Sequence, residues 1–181
     1  GVVGVKGSPR ALAMSVDGNG RYCYLDPRLG AMHAVAEAAR NVACAGGEPI
    51  GATNCLNFGN PERPEIMWQL AEAVAGIGEA CRALDVPITG GNVSLYNETE
   101  GKAVYPTPTV GMVGILDDET RGAALAFSHE KLDIILLGET HDELGGSEWQ
   151  QMFLPDGLAL PPRVDLDREK RLIKLLLSLH E

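Results

Sequence analysis

Six apolar residues in the middle of the chain, Ile66, Leu70, Val74, Ile77, Cys81 and Leu84, recur at steps of four, four, three, four and three. Only an α-helix brings that spacing onto one face, and Glu65, Glu72 and Glu79 fall on another. Asp85-Val86-Pro87 ends the helix, because proline cannot continue it and disfavours helical backbone in the residue before. Strand candidates flank it on both sides. Ile50 to Phe58 precedes it and closes in Gly59-Asn60-Pro61, and Pro87 to Tyr96 follows it, interrupted by Gly90-Gly91.

Upstream, Asp26-Pro27 reads as an N-cap with proline at the first helical position, opening an alanine-rich helix that runs to Ala45 and stops at Gly46-Gly47. Its small residues Ala31, Ala34, Ala38, Ala39 and Ala45 let it lie close against a sheet. Ala11 to Val16 has strand character and runs into Asp17-Gly18-Asn19-Gly20, whose Asp-Gly and Asn-Gly pairs predict a hairpin with Arg21 to Leu25 as the partner strand. Val104 to Leu116 reads as a long strand bent at Pro106 and Pro108.

The acidic run Asp117-Asp118-Glu119 marks a boundary, dividing the chain into residues 1–118 and 119–181. Beyond it a strand is expected over Asp133 to Leu137, then Gly145-Gly146-Ser147, a loop with Pro155, Pro161 and Pro162, and a final helix capped by Asp165. That helix carries Leu172, Ile173, Leu176 and Leu179 on its apolar face and has no strand of its own to cover.

Composition narrows the function classes. Of the 181 residues 45% are hydrophobic and 22% charged, which suits a globular protein rather than a disordered one. The net charge of −10 is uneven: residues 1–60 carry five Lys/Arg against four Asp/Glu, and the remainder ten against twenty-one. No basic run exists to neutralise a phosphate backbone, which argues against nucleic-acid binding. The longest uncharged stretch, Ala103 to Leu116, is broken by two prolines and two glycines and is too short to span a bilayer. Gly1 to Arg10 lacks an apolar signal-like core, so a cytoplasmic location is expected. Cys23, Cys44, Cys55 and Cys81 show no metal-binding spacing and suit buried free thiols, with a disulfide left open.

Thr89-Gly90-Gly91-Asn92-Val93-Ser94 is the first candidate for chemistry. Two adjacent glycines let a phosphate approach the backbone, the Asn92 carbonyl is a hard oxygen for Mg²⁺, and the Ser94 hydroxyl can anchor a phosphate. A glycine bulge in an edge strand is the plainer account. Thr53-Asn54-Cys55-Leu56-Asn57-Phe58-Gly59-Asn60-Pro61 gathers three amides able to read a base or complete a metal shell, although Gly-Asn and Asn-Pro are ordinary turn formers. His33, His129, His141 and His180 are scattered, and Cys55 has no assignable base.

Taken in order, these segments carry a resemblance. Ser15-Val16-Asp17-Gly18-Asn19-Gly20-Arg21-Tyr22, Tyr24-Leu25-Asp26-Pro27, Ala34 to Val42, Cys55 to Glu62, Gly91 to Glu98, Tyr105 to Pro108 and Gly145 to Glu148 closely resemble the phosphoribosylformylglycinamidine synthase family. That family is an ATP-dependent amidotransferase of purine biosynthesis, built from two copies of a module also found in aminoimidazole ribonucleotide synthetase. The resemblance implies an α/β (α+β) fold: an N-terminal domain lending strands to a β-barrel shared with the other copy, then the start of a C-terminal α/β domain. It is to the second copy, because the His-Asn-His-Pro string of the first, which supplies a catalytic histidine, is absent at Asp17-Gly18-Asn19.

The resemblance further implies that Gly91 contacts ATP, Asn92 ligates Mg²⁺ and Ser94 contacts formylglycinamide ribonucleotide. Asn54 stands where relatives usually have an ATP-contacting aspartate. No catalytic residue is expected from this chain itself. The implied partners are the first module and a glutaminase that supplies ammonia, and an isolated chain with a bare barrel edge is expected to self-associate. The alternatives are a related synthetase and a non-catalytic half that completes the barrel.

Overall fold

A computed structural model describes residues 1–127, 130–155, 157 and 159–180; His129 lies outside them. The chain opens with β1 (Val2–Gly4) and β2 (Ala11–Asp17), then helices α1 (Gly20–Leu25) and α2 (Pro27–Cys44). Next come β3 (Glu48–Asn57), α3 (Pro64–Ala83), β4 (Ile88–Ser94), a small hairpin of β5 (Glu98–Thr99) and β6 (Lys102–Ala103), and β7 (Thr107–Leu116). A 3₁₀ turn (Glu119–Arg121), α4 (Glu148–Phe153) and α5 (Leu166–Ser178) follow.

Five strands form one open mixed sheet in the order β1-β2-β7-β3-β4. Only β3 and β4 are parallel, as the connection through α3 requires; the other neighbours are antiparallel. β7 alternates half-buried and buried along its whole length, so one face of the sheet looks into a core and the other does not. The core face carries Ala11, Ala13, Val110 and Met112 against α2, whose Ala31, Ala34, Val35, Ala38 and Ala39 are buried.

Small residues determine how closely the layers approach. At Gly76 of α3 a Cβ would lie 3.0 Å from the carbonyl carbon of Arg28 and closer still to its oxygen, so α2 and α3 touch backbone to side-chain-free backbone. For that reason the buried face of α3 is Ile66, Ala73, Gly76, Ile77, Ala80 and Cys81, while Val74, expected inside, is exposed. The expected ends of the helices hold. Asp26 accepts a hydrogen bond from the Leu29 N–H at 2.9 Å and Asp165 accepts one from Arg168 N–H at 2.9 Å.

Four expectations need correction. The Asp17-Gly18-Asn19-Gly20 stretch makes no hairpin. Asn19 instead caps α1, its Oδ1 accepting from the N–H groups of Arg21 and Tyr22 at 3.1 Å each, and the partners of β2 are β1 and β7. Asn-Gly serves equally as a hairpin turn or a helix start, and the distant strand β7 decided between them. Asp133 to Leu137 is not a strand, and Ile134, Ile135 and Leu136 are largely exposed. The strand read from Val104 begins at Thr107. Finally, Leu179 is not on the apolar face of α5: it lies just past the end of the helix and is exposed, while α5, with no strand to cover, packs on α2 through Ile173. An ion pair between Arg40 and Glu169 at 2.6 Å, both largely shielded, ties the two helices, and Lys170 pairs with Asp85 at the end of α3.

Candidate functional site

The parallel pair β3–β4 holds Asn54, Gly91, Asn92 and Ser94, whereas Asn60, the third of the amides, lies in the turn beyond β3 and accepts from the Glu62 N–H at 2.8 Å. In register, Asn54 lies beside Gly91, Cys55 beside Asn92 and Asn57 beside Ser94. Adjacent strands stand about 4.8 Å apart, so these residues form a compact patch. β4 runs unbroken through Gly90-Gly91. It is an edge strand with a register irregularity opposite Ala52 and Thr53, so the bulge expected as the plainer account is present as well.

Gly91 is required by its neighbour. A Cβ there would come within 2.5 Å of the Asn54 backbone oxygen and also run into its side-chain oxygen. The close approach that suggested a nucleotide is therefore already used by Asn54. Threonines bind the two strands together: Thr53 Oγ1 donates to Gly90 O at 3.0 Å and Thr89 Oγ1 to Ala52 O at 3.1 Å.

Alternation along the strands separates the four residues. Asn54 pairs across β7 with Val110 and shares the core-facing side with Ala52, whereas Asn92 and Ser94 lie on the opposite face with Cys55 and Asn57. Asn92 is exposed and Ser94 half-buried. Ser94 Oγ donates to Asn97 Oδ1 at 3.1 Å, and Asn97 Nδ2 donates to Ser94 O at 2.8 Å and Phe58 O at 3.0 Å. The serine is thus held in place with its lone pairs free to accept from a ligand. Asn57, one of the three amides, serves the sheet, its Nδ2 donating to Cys55 O at 3.1 Å and Thr107 O at 3.2 Å.

In the sequence Asp17 shows only as part of a turn. It is the residue whose importance the sequence hid, because its position across from Val110 comes from non-local pairing. One carboxylate oxygen accepts from Asn41 Nδ2 at 2.9 Å, and the other is buried with no hydrogen-bond partner among the described residues. It lies on the same face and in the same cross-strand row as Asn54, two strands away.

Magnesium fits Asn92 only as a shared ion. The amide carbonyl offers one neutral hard oxygen, and no group of three or more His, Cys, Asp or Glu side chains able to hold a metal is found among the described residues. Asp17 is on the other face and cannot join it. Such a donor set suits an ion whose remaining ligands are phosphate oxygens and water.

Two of the four cysteines and two of the histidines are held in structural settings. Burial first, and then the charge of Asp26, pushes the Cys23 thiol up to about 12, and burial also raises Cys81. His33 is structural, its Nε2 lying 2.6 Å from Pro162 O and its ring edge-on to Tyr22. His180 Nδ1 meets Arg121 O at 3.1 Å. The patch on β3–β4 is open rather than enclosed; a cleft of about 550 Å³ lies at the other end of the sheet, lined by Glu48, Leu116, Arg121, Lys174 and His180.

Residues 1–116 match the family model described as AIR synthase related protein, N-terminal domain. The chain belongs to this family. It is 55% identical over 169 residues to the phosphoribosylformylglycinamidine synthase subunit PurL of Moorella thermoacetica, covering 93% of this chain and 23% of that protein. To the corresponding subunit of an Anaeromyxobacter species it is 58% identical over 161 residues, 89% of this chain and 21% of that protein. The chain therefore spans about a quarter of the length of the curated relatives it matches. Among solved structures, Thermotoga maritima PurL complexed with ATP superposes with a TM-score of 0.70 at 23% identity, over 99% of this chain and 26% of that one. That likeness concerns the fold. PurLQS from the same organism gives 0.64 at 30% identity over 69% of this chain and 21% of that chain. Among the described residues no helix is long and apolar enough to cross a membrane.

Proposed function

We propose that this chain is part of an ATP-dependent phosphoribosylformylglycinamidine synthase and contributes half of a binding site that a second module completes. Residues 1–118 would form the N-terminal domain of the second synthetase-like module and residues 119–181 the beginning of its C-terminal domain. The observation that carries the proposal is identity above 50% to PurL subunits over most of this chain. The openness of the β3–β4 patch supports the half-site. A surface that carries aligned amide and hydroxyl groups but no enclosure needs a second wall before it can exclude water.

In this reading Asn92 supplies one oxygen to Mg²⁺ and Ser94 accepts from formylglycinamide ribonucleotide on one face of the β3–β4 pair, while the Gly91 backbone and the Asn54 amide, on the other side, would meet ATP only where the nucleotide crosses the strand ends. Asn54 in place of an aspartate keeps hydrogen bonding without a negative charge beside the polyphosphate. The γ-phosphoryl group passes to the substrate amide oxygen with release of ADP, ammonia attacks the activated carbon, and phosphate leaves with that oxygen to give the amidine. Magnesium held in part by Asn92 would supply positive charge to offset that of the phosphates. This chain's own contribution is positioning: strand ends hold Asn92 and Ser94 on one face, two residues apart.

The ammonia comes from a glutaminase partner, and the location is cytoplasmic. The sheet face opposite the core, with Leu12, Met14, Val16, Val113 and Ile115, is the surface that would close a barrel with the first module. A chain lacking that module should self-associate through this face or the β1 and β4 edges, which sedimentation at varied concentration tests.

The decisive experiment supplies ATP, Mg²⁺, ammonia and formylglycinamide ribonucleotide to the chain alone and with the first module, and follows ADP release. ADP release only in the mixture supports the half-site. Release from the chain alone would refute it, and none from the mixture would favour an inert half that merely completes the barrel.

A further inference from the structure

Tyr96 holds its backbone at φ 60°, in the left-handed region. For a residue with a bulky side chain this costs about 1–2 kcal/mol, and glycine would avoid it. Of the three other non-glycine residues in this conformation among the described residues, Asp85, Glu100 and Lys131, the first two have a local reason. Asp85 follows the last turn of α3, and Glu100 makes the hairpin turn between β5 and β6 with Gly101. Tyr96 sits in the turn after Ser94, where its N–H donates to Gly59 O at 2.9 Å and that of Asn97 to Phe58 O at 3.1 Å. Those bonds need the backbone and make no use of a ring.

Core packing does not explain the ring either, since Tyr96 is 58% exposed. Its hydroxyl points to Glu62 Oε1 at 3.5 Å, longer than the 2.5–3.0 Å usual for such a bond. Both groups therefore keep unused capacity: the phenol can donate and accept, and the carboxylate can accept at several further positions. A strained, exposed tyrosine beside a carboxylate, two residues from Ser94, is placed for a ligand. A donor next to a carboxylate acceptor matches a hydroxyl group, which needs one of each, better than a phosphate, which the carboxylate would repel.

We propose that Tyr96 and Glu62 form a binding pair for the ribose hydroxyls of the phosphoribosyl substrate held at Ser94. This rests on the substrate reading given under Proposed function, and it adds two specificity residues to that site. Tyr96 tolerates its backbone conformation because the phenol is needed there, and Glu62 reaches it from the turn that leads into α3.

The test uses the full-length synthase that carries this chain and compares Tyr96→Phe, Tyr96→Gly and Glu62→Gln with the parent, with Ser94→Ala as control. KM for formylglycinamide ribonucleotide should rise about tenfold in each variant of the pair, the loss expected for one hydrogen bond to a charged or phenolic group. KM for ATP should stay within about twofold. A 2′,3′-dideoxy analogue of the substrate should bind the parent and the pair variants equally. Tyr96→Gly should melt no lower than the parent, because it relieves the backbone, so a binding loss there cannot be a folding loss. Unchanged KM in Tyr96→Phe and Glu62→Gln would overturn the pair, as would an equal loss for the dideoxy analogue or a matching rise in KM for ATP. If Ser94→Ala raises KM while the pair variants do not, the pair alone falls; if all four leave KM unchanged, the substrate reading falls with it.

Discussion

The two halves of the sheet are built for different ends. β2 and β7 lie under α2, and their inward residues Ala11, Ala13, Val110 and Met112 are essentially inaccessible. β4, at the other edge, is exposed at every residue but Ser94, and no helix covers either of its faces to a comparable extent. The covered half is held by close packing of small apolar groups. The bare half is held by the β3–β4 ladder, by threonine hydroxyls and by a glycine fitted to Asn54. Stability is concentrated where the helices lie, and the polar groups available to a ligand are concentrated where they do not.

The contrast can be broken first by cavity formation. Met112→Ala should lower unfolding free energy by about 2–5 kcal/mol, whereas Val93→Ala on the bare edge, 54% exposed, should change it by no more than about 0.5 kcal/mol. Urea denaturation of both variants checks this, and equal losses would erase the distinction. A smaller effect is expected from Gly91→Ala. The new Cβ must push Asn54 away, costing about 1–3 kcal/mol and loosening the β3–β4 ladder, so amides of β4 should exchange faster while those of β2 keep their protection.

Thiol chemistry sharpens the contrast at less cost to the fold. Cys23 is buried against the covered half, with its pKa raised from 9.0 to about 12. Below pH 9 the thiol is protonated in both states and its contribution is fully present. Between pH 9 and about 12 the unfolded thiol ionises while the folded one does not, so stability falls as pH rises. Cys44 is exposed. At pH 8, a thiol reagent should modify Cys44 within the mixing time and Cys23 only as the protein unfolds. Asn92→Ala should change stability as little as Val93→Ala, within about 0.5 kcal/mol, because the side chain is exposed. Its effect should appear instead in Mg²⁺-dependent ADP release by the complete enzyme, and unchanged metal dependence would remove Asn92 from the site.

Much of the helical layer was legible from residue spacing. Asp26 and Asp165 cap where their side chains predict, and the periodicity of α3 located the helix to within a few residues. The exact buried face of α3 was not legible, because Gly76 and Ala80 lie inward only through the approach of α2, a partner distant in sequence. The candidate site was legible as a set of residues, since Asn54, Gly91, Asn92 and Ser94 do come together on β3–β4. Its geometry was not. That Asn54 and Asn92 lie on opposite faces follows from strand register, and a shift by one residue would reverse it.

The sequence by itself determined the features that arise between near neighbours: helix starts, helix stops, the strand–helix–strand order and membership of a family. Tertiary structure alone decided that Asn19 caps a helix instead of turning a hairpin, that α5 docks on α2, and that Asp133 to Leu137 stays out of the sheet. It also decided that Asp17 turns a carboxylate oxygen into the interior and that Tyr96 is held strained beside Glu62. The physical reason is common to all of them. Capping and periodicity are energies of residues a few positions apart, whereas face, register and burial are determined by which distant segment supplies the other side of the contact.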